Sequence, residues 1–232
     1  MTSDTTLSRV RLGPLLAQAD VRGVVFDLDG TLIDSAADIL ASIRETFRQA
    51  GYGEVPDSYF PDNLHGTSDG IMCSVIQDMG WQEPQDMAAL KQLYYSVYVA
   101  QDHRHTQLYP GVMDVLEGCA DTLSMAICTN KIHRNALAAT EKVGIQRYFK
   151  VISGADSWAE AKPSPIPLLE TIRCMGLTPD QCLYFGDTSV DAACAAHAGV
   201  RFVLHRSGYG DTALANMPNH HAFDRWDELF SA

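Results

Sequence analysis

Five short, nearly continuous apolar segments divide this chain, at 23–28, 124–128, 150–153, 182–185 and 200–204. Between them run segments with apolar residues at helical spacing, at 112–120, 134–143, 165–175, 191–197 and 213–217. Strands that alternate with helices predict a parallel, doubly wound sheet, because each parallel neighbour needs a crossover. Strands that are apolar along their whole length predict a sheet covered on both faces. The expected fold class is therefore α/β. The tail from 221 to 232 reads as one more short strand and a terminal helical turn.

The alternation breaks once. Between Ser35 and Tyr109 no strand is evident, and the spacing predicts three helices over 36–50, 69–79 and 87–101. Gly51 follows the first as a stop signal, and Pro110-Gly111 marks the return. The expected organisation is an N-terminal extension over 1–22, an α/β core over 23–35 and 108–232, and an inserted helical cap over 36–107. Residues 1–20 carry arginines without a continuous apolar stretch, so they read as a short helix or loose arm and not as a signal peptide.

With 232 residues, 46 % of them apolar, the chain can bury a sizeable core. Its formal charge of -12 argues against nucleic acid and against an anionic membrane surface, since both need clustered cations. No apolar run reaches the ~18 residues of a membrane span. The six cysteines form no C-x-x-C pair and read as buried small hydrophobes in a reducing, cytoplasmic setting. A monomer or homodimer is expected.

In parallel α/β sheets, ligands gather at the carboxyl ends of the strands. Asp27 and Asp29 stand at one such end, Thr129, Asn130 and Lys131 at a second, and Asp187, Thr188 and Asp191 at a third. Lys162 follows the strand near 151. Each has a plain reading: Asp29-Gly30 as a turn, Thr129 as a helix cap, Lys162 as a solvated lysine, Asp191 as a first-turn aspartate. Together they make two acid groups, a hydroxyl and a lysine on one sheet edge, the parts of a Mg²⁺-dependent phosphoryl site.

The segments V-F-D-L-D-G-T-L-I-D, I-C-T-N-K, A-K-P-S-P and G-D-T-S-V-D resemble the four ordered motifs of the haloacid dehalogenase-like phosphatases. The resemblance runs from Val24 to the C-terminus. D-S-A-A-D-I-L, Y-P-G-V and K-P-S-P look most like the phosphoglycolate phosphatase branch. It implies a Rossmann-like core with a helical cap after the first strand, and hydrolysis of a small phosphorylated metabolite. It further implies Asp27 as nucleophile and Asp29 as general acid–base. Mg²⁺ would be held by the Asp27 and Asp187 side chains and the Asp29 carbonyl. Thr129, Asn130 and Lys162 would hold phosphate, with Asp191 supporting.

Cap residues His65, Gly66 and Thr67 either select the substrate or form an ordinary N-cap loop. Arg44 reads as solvated, Lys131 and Arg134 as possible partners of an anionic substrate, and Trp81, Tyr94, Tyr95 and Tyr98 as packing. Asp34 reads as a cap of the first inserted helix. A phosphosugar mutase, a pyrophosphatase or nucleotidase, and a phosphoacceptor signalling module are the alternatives. The last needs neither a helical cap nor a second acid two residues past the first.

Overall fold

The computed structural model describes residues 20–62, 64, 66–210 and 212–230. The expected N-terminal arm over 1–20 falls almost wholly outside them, as do His65 and the last two residues. Six strands form one parallel sheet: β1 (Gly23–Phe26), β4 (Ser124–Cys128), β5 (Val151–Ser153), β6 (Cys182–Gly186), β7 (Arg201–His205) and β8 (His221–Phe223), in the order β5-β4-β1-β6-β7-β8. The chain runs outward from β1 to β4 and β5, then crosses back to β6 on the other side. β1 is therefore the switch point, the place where such sheets leave a crevice.

Register positions the site. Phe26 pairs with Ile127 on β4 and with Phe185 on β6. Asp27, Thr129 and Asp187 thus leave three adjacent strands at nearly the same height. Alternation along the strands divides the core in two. Val24, Phe26, Ile127 and Phe185 face one way, with α4 (Val112–Cys119) and α5 (His133–Lys142); Val25, Ala126, Cys128 and Tyr184 face the other, with α6 (Ile166–Met175) and α7 (Ser189–Ala198). Covering on both faces is what the unbroken apolar strands require.

Two elements escape the periodicity. β2 (Ile33–Asp34) and β3 (Gln107–Leu108) pair antiparallel and are two residues each, too short to show a pattern. Among the described residues, the regular elements between them are helices: α1 (Ala36–Gln49), α2 (Ser68–Asp78) and α3 (Met87–Ala100). This cap has its own core, built from Ile43, Phe47, Met72, Val75, Tyr94 and Tyr98. The buried Asp38 carboxylate on α1 accepts hydrogen bonds from the His105 N–H and the Thr106 hydroxyl, tying the first helix to the returning strand.

Smaller corrections follow from local chemistry. The segment expected as a helix at 213–217 is a 3₁₀ turn, Thr212–Asn216. Ser35, not Asp34, is the N-cap residue of α1, although Asp34 Oδ1 accepts from the Ala36 N–H at 3.2 Å. Cys73 and Cys174 are exposed on helix faces, while Cys119, Cys128, Cys182 and Cys194 are buried. Among the described residues no helix is long and apolar enough to cross a membrane.

Candidate active site

The site is built on the strand ends of β1, β4 and β6. Lys162 comes up between them and is fully enclosed. Its Nζ donates to Asp27 Oδ1 at 2.7 Å, to Asp191 Oδ1 at 2.6 Å and to the Tyr184 hydroxyl at 2.9 Å. Asp191 sits in the first turn of α7, where Thr188 Oγ1 donates to its Oδ2 at 2.6 Å. It therefore stands both in the capping box of the helix and against Lys162. Asn130 holds the same lysine from behind. Its amide donates to the Lys162 carbonyl at 3.2 Å and accepts from the Lys162 N–H at 3.0 Å. With both ends so engaged, the Asn130 side chain is a clamp on Lys162.

Asp187 is buried at the end of β6. Thr31 Oγ1 donates to its Oδ1 and the Tyr209 N–H to its Oδ2, both at 2.8 Å. Backbone approaches it closely on two sides. A Cβ on Gly30, where φ is +85°, would lie 2.1 Å from Asp187 Oδ2, and one on Gly208 would lie 2.4 Å from its Cβ. Neither position tolerates a side chain without displacing the carboxylate. One ligand atom from each of Asp27, Asp187 and Asp191 falls within 4.8 Å of the others, a group able to hold a metal ion.

Electrostatics fit the same use. Burial pushes the Asp27 carboxyl up to about 7, with Lys162 opposing and Asp191 adding to the rise. Burial also lifts Asp187 well above its ordinary value, reinforced by Asp191 and Asp27. For Asp191, burial works against ionisation, but Lys162, Thr188 and Tyr184 overcome it and hold it below the usual range. Three buried carboxylates against one ammonium leave excess negative charge, which a divalent cation would neutralise.

Asp29 stands apart from this cluster and faces the cap. Lys131 Nζ lies 2.9 Å from both of its oxygens, and Ser35 Oγ donates to Oδ1. The Tyr209 hydroxyl accepts from the Ser35 N–H at 2.8 Å, so one tyrosine spans the supports of both Asp29 and Asp187. Above lies a small cavity of about 50 Å³, with Asp27, Asp29, Thr129 and Lys131 in its floor. Gly66, Ser68, Tyr94, Tyr95 and Tyr98 line its roof.

The cap residues divide between the two readings given for them. Gly66 lines the cavity; Thr67 is the N-cap of α2, accepting from the Gly70 N–H at 3.4 Å, and is not among the lining residues. His65 lies outside the described residues. Arg44 is held at the cap surface by Asp57, away from the cavity. Tyr94, Tyr95 and Tyr98 do pack, as their spacing indicates, but they also wall the site. Thr129 does not cap α5; its Oγ1 accepts from the Lys131 N–H at 3.2 Å.

Comparison with known proteins agrees with this geometry. The sequence profile of the haloacid dehalogenase-like hydrolases matches residues 24–205. A phosphoglycolate phosphatase of Cereibacter sphaeroides is 32 % identical over 209 residues, covering 89 % of this chain and 95 % of that protein. Another, from Rhodobacter capsulatus, is 33 % identical over 214 residues, covering 89 % and 94 %. A solved structure described as a predicted phosphoglycolate phosphatase from Haemophilus somnus 129pt superposes with a TM-score of 0.82 at 25 % identity, covering 91 % of this chain and 98 % of that one. With residues 24–205 matched by the family and nearly all of its length covered by phosphoglycolate phosphatase relatives, the chain belongs to the haloacid dehalogenase-like hydrolases, and within them to the phosphatases.

Proposed function

We propose that the protein hydrolyses a small phosphate monoester related to 2-phosphoglycolate, with Mg²⁺, through an aspartyl phosphate on Asp27. The observation that carries this reading is the convergence of Asp27, Asp29, Thr129, Lys162 and Asp187 beneath a closed helical cap. The names of the relatives support the substrate class.

Asp27 attacks phosphorus in line with the ester bond. A P–O bond forms to its carboxylate as the bond to the leaving oxygen breaks. Asp29 gives that oxygen its proton, and the alcohol departs. Water then attacks phosphorus and Asp29 takes up its proton; the bond to Asp27 breaks and inorganic phosphate leaves. Lys162 stands against Asp27 and neutralises phosphoryl charge, while Thr129 offers a hydroxyl to a phosphoryl oxygen. Mg²⁺, held by the Asp27 and Asp187 side chains and the Asp29 carbonyl, would stabilise charge on the phosphoryl oxygens. The cap closes on the ribbon of β2 and β3 and keeps water out until the alcohol has left.

The test is a phosphate-release assay over a panel of small phosphate esters, with Mg²⁺ and with excess chelator. Turnover of at least one small ester that stops in chelator and returns with Mg²⁺ is the expected result. Full activity in chelator removes the metal assignment. Release from none of the panel removes the phosphatase reading for small esters.

A further inference from the structure

The cavity under the cap is lined by more hydrogen-bonding groups than the phosphoryl chemistry uses. Most of them have protein partners. Asp27 meets Lys162, Asp29 meets Lys131, Asn130 clamps the Lys162 backbone, and Ser68 meets the Tyr95 hydroxyl. Two others do not. Asn135 lines the cavity from the first turn of α5 and is 4 % exposed, yet its side-chain amide has no hydrogen-bond partner among the described residues. Tyr94 lines it from α3 and is 6 % exposed, and its hydroxyl likewise has no partner among them. The Tyr98 hydroxyl is also unpaired, but its oxygen is sealed inside the wall.

A polar group taken out of water is ordinarily paired, because an unpaired one costs free energy and returns none. Nothing in the packing calls for an amide at Asn135. Ile132 and Asn135 stand at i, i+3 spacing and both line the cavity, while Ala136 and Ala139 turn into the core. Ile39, Leu64 and Ile71 make other parts of the lining apolar. An apolar side chain would complete the face that Ile132 begins. The amide therefore serves what enters the cavity, and its chemistry names the partner. It presents N–H donors and a carbonyl acceptor. A carboxylate only accepts, and would set its charge against the Asn135 carbonyl. A hydroxyl donates to that carbonyl and also accepts, from the amide N–H or from the Tyr94 phenol. The volume of about 50 Å³ restricts the carrier to a short chain.

We infer that Asn135 is a specificity residue that receives a hydroxyl of the leaving group, with the Tyr94 hydroxyl offering a second contact from the cap. The substrate class is a phosphate monoester of a short hydroxyalkyl alcohol, which differs from 2-phosphoglycolate in carrying a group that both donates and accepts. This goes beyond the substrate named above and rests on the phosphatase reading. An ester of the same length with a methyl group in place of the hydroxyl leaves both the amide and the phenol unpaired under the cap, and it reacts slowly.

The experiment compares 2-hydroxyethyl phosphate with propyl phosphate, which has a methyl group in place of the hydroxyl, at saturating Mg²⁺; 2-phosphoglycolate is the third ester. Wild type should favour 2-hydroxyethyl phosphate over propyl phosphate in kcat/KM by at least about 10-fold, because a pocket built around a hydroxyl rejects the analogue that lacks it. Asn135→Leu should lower kcat/KM for 2-hydroxyethyl phosphate about 10-fold and leave propyl phosphate equal or faster. Asn135→Ala, which crowds nothing, should show the same split, and Tyr94→Phe should lower the same ratio about 2–10-fold. Both Asn135 variants should keep a urea midpoint near that of wild type, since no protein partner is lost. A clear fall in both would give the amide a structural task and overturns the inference. So does a wild type that takes the two alkyl esters equally, or an equal loss on both in the Asn135 variants. A larger loss on 2-phosphoglycolate than on 2-hydroxyethyl phosphate would assign the amide to a carboxylate, and it also overturns the inference. Turnover of these esters with an unmoved ratio defeats this inference alone; release from none of the three, nor from any other small ester, defeats the phosphatase reading with it.

Discussion

The floor of the cavity and its roof are built in different ways. In the floor, Asp187 and Asp191 are each fixed by several partners. Asp187 is held by Thr31 and Tyr209, Asp191 by Lys162, Thr188 and Tyr184, and Lys162 by the Asn130 clamp. Asp187 follows a strand whose register the sheet sets, and Asp191 stands in the first turn of the helix after it. In the roof, aromatic area takes the place of hydrogen bonds; one polar contact, Ser68 Oγ to the Tyr95 hydroxyl at 2.6 Å, joins α2 to α3 at the wall. The roof connects to the core through a two-residue ribbon and the Asp38 contacts. A rigid floor suits chemistry that tolerates little displacement of the reacting atoms. A roof on a short ribbon suits a surface that opens, closes and selects.

The largest expected effect tests the floor. Asp27→Asn should lower turnover by about 10⁴-fold or more, the scale of losing a nucleophile. Stability should hold or rise, because the amide relieves repulsion with Asp187 and Asp191 while Lys162 keeps Asp191. A steady-state assay with a urea melt checks both; retained activity would remove Asp27 as nucleophile. Lys162→Met comes next. It leaves buried carboxylates without their only ammonium and should cost about 3–5 kcal/mol, as breaking a buried pair from one side does. A urea midpoint equal to wild type would mean that the cluster is not held by Lys162.

A smaller effect belongs to the roof. Tyr95→Phe removes the hydroxyl that meets Ser68 but keeps the ring in the wall. It should lower kcat/KM about 2–10-fold, the worth of one neutral hydrogen bond, with the urea midpoint little changed. A loss as large as that of Asp27→Asn would break the division between floor and roof, since the roof would then take part in the bond-making step.

The same division explains what the sequence reveals. Asp27, Asp29, Lys162 and Asp187 are legible because motif chemistry is local: each stands just after a strand or in a short signature. The side-chain clamp of Asn130 is not legible because its partner, the Lys162 backbone, is 32 residues away and no spacing links them. Tyr209 has no pattern around it, yet from a loop it donates to Asp187 and holds Ser35, the partner of Asp29. Tyr94, Tyr95 and Tyr98 carry helical spacing that fits a buried stripe and a cavity wall equally well. Periodicity reports that a face is covered, not whether the covering is protein or substrate. β2 and β3 are invisible for a simpler reason, since two residues carry no period.

The smallest expected effect is a dependence on pH that compares the two regions directly. Among the described residues, each contains one enclosed histidine. Under the floor, His205 sits against Phe223 with its Nδ1 2.9 Å from the Gly30 carbonyl, so it braces the loop that carries Asp29. Beside the roof, His103 packs on Tyr98 at the end of the cap. Burial holds both below the ordinary histidine value; at His103 the nearby Lys131 adds to the fall, and at His205 the Gly30 carbonyl partly opposes it. The unfolded imidazoles take up protons near pH 6.5, while the folded ones resist. Below that pH the unfolded state binds more protons, so stability is full above about 6.5 and declines as the pH falls. Urea midpoints measured from pH 8 down to 5 should therefore fall on the acid side. His205→Gln, whose amide can still donate to the Gly30 carbonyl, should remove part of that slope, and His103→Gln another part. Hydrogen exchange at pH 5.5 then separates the regions: His205→Gln should protect amides around Gly30 and His205, and His103→Gln those around His103 and Thr106. An acid slope identical in wild type and both variants would place the titrating groups elsewhere and leave floor and roof alike in their response to pH.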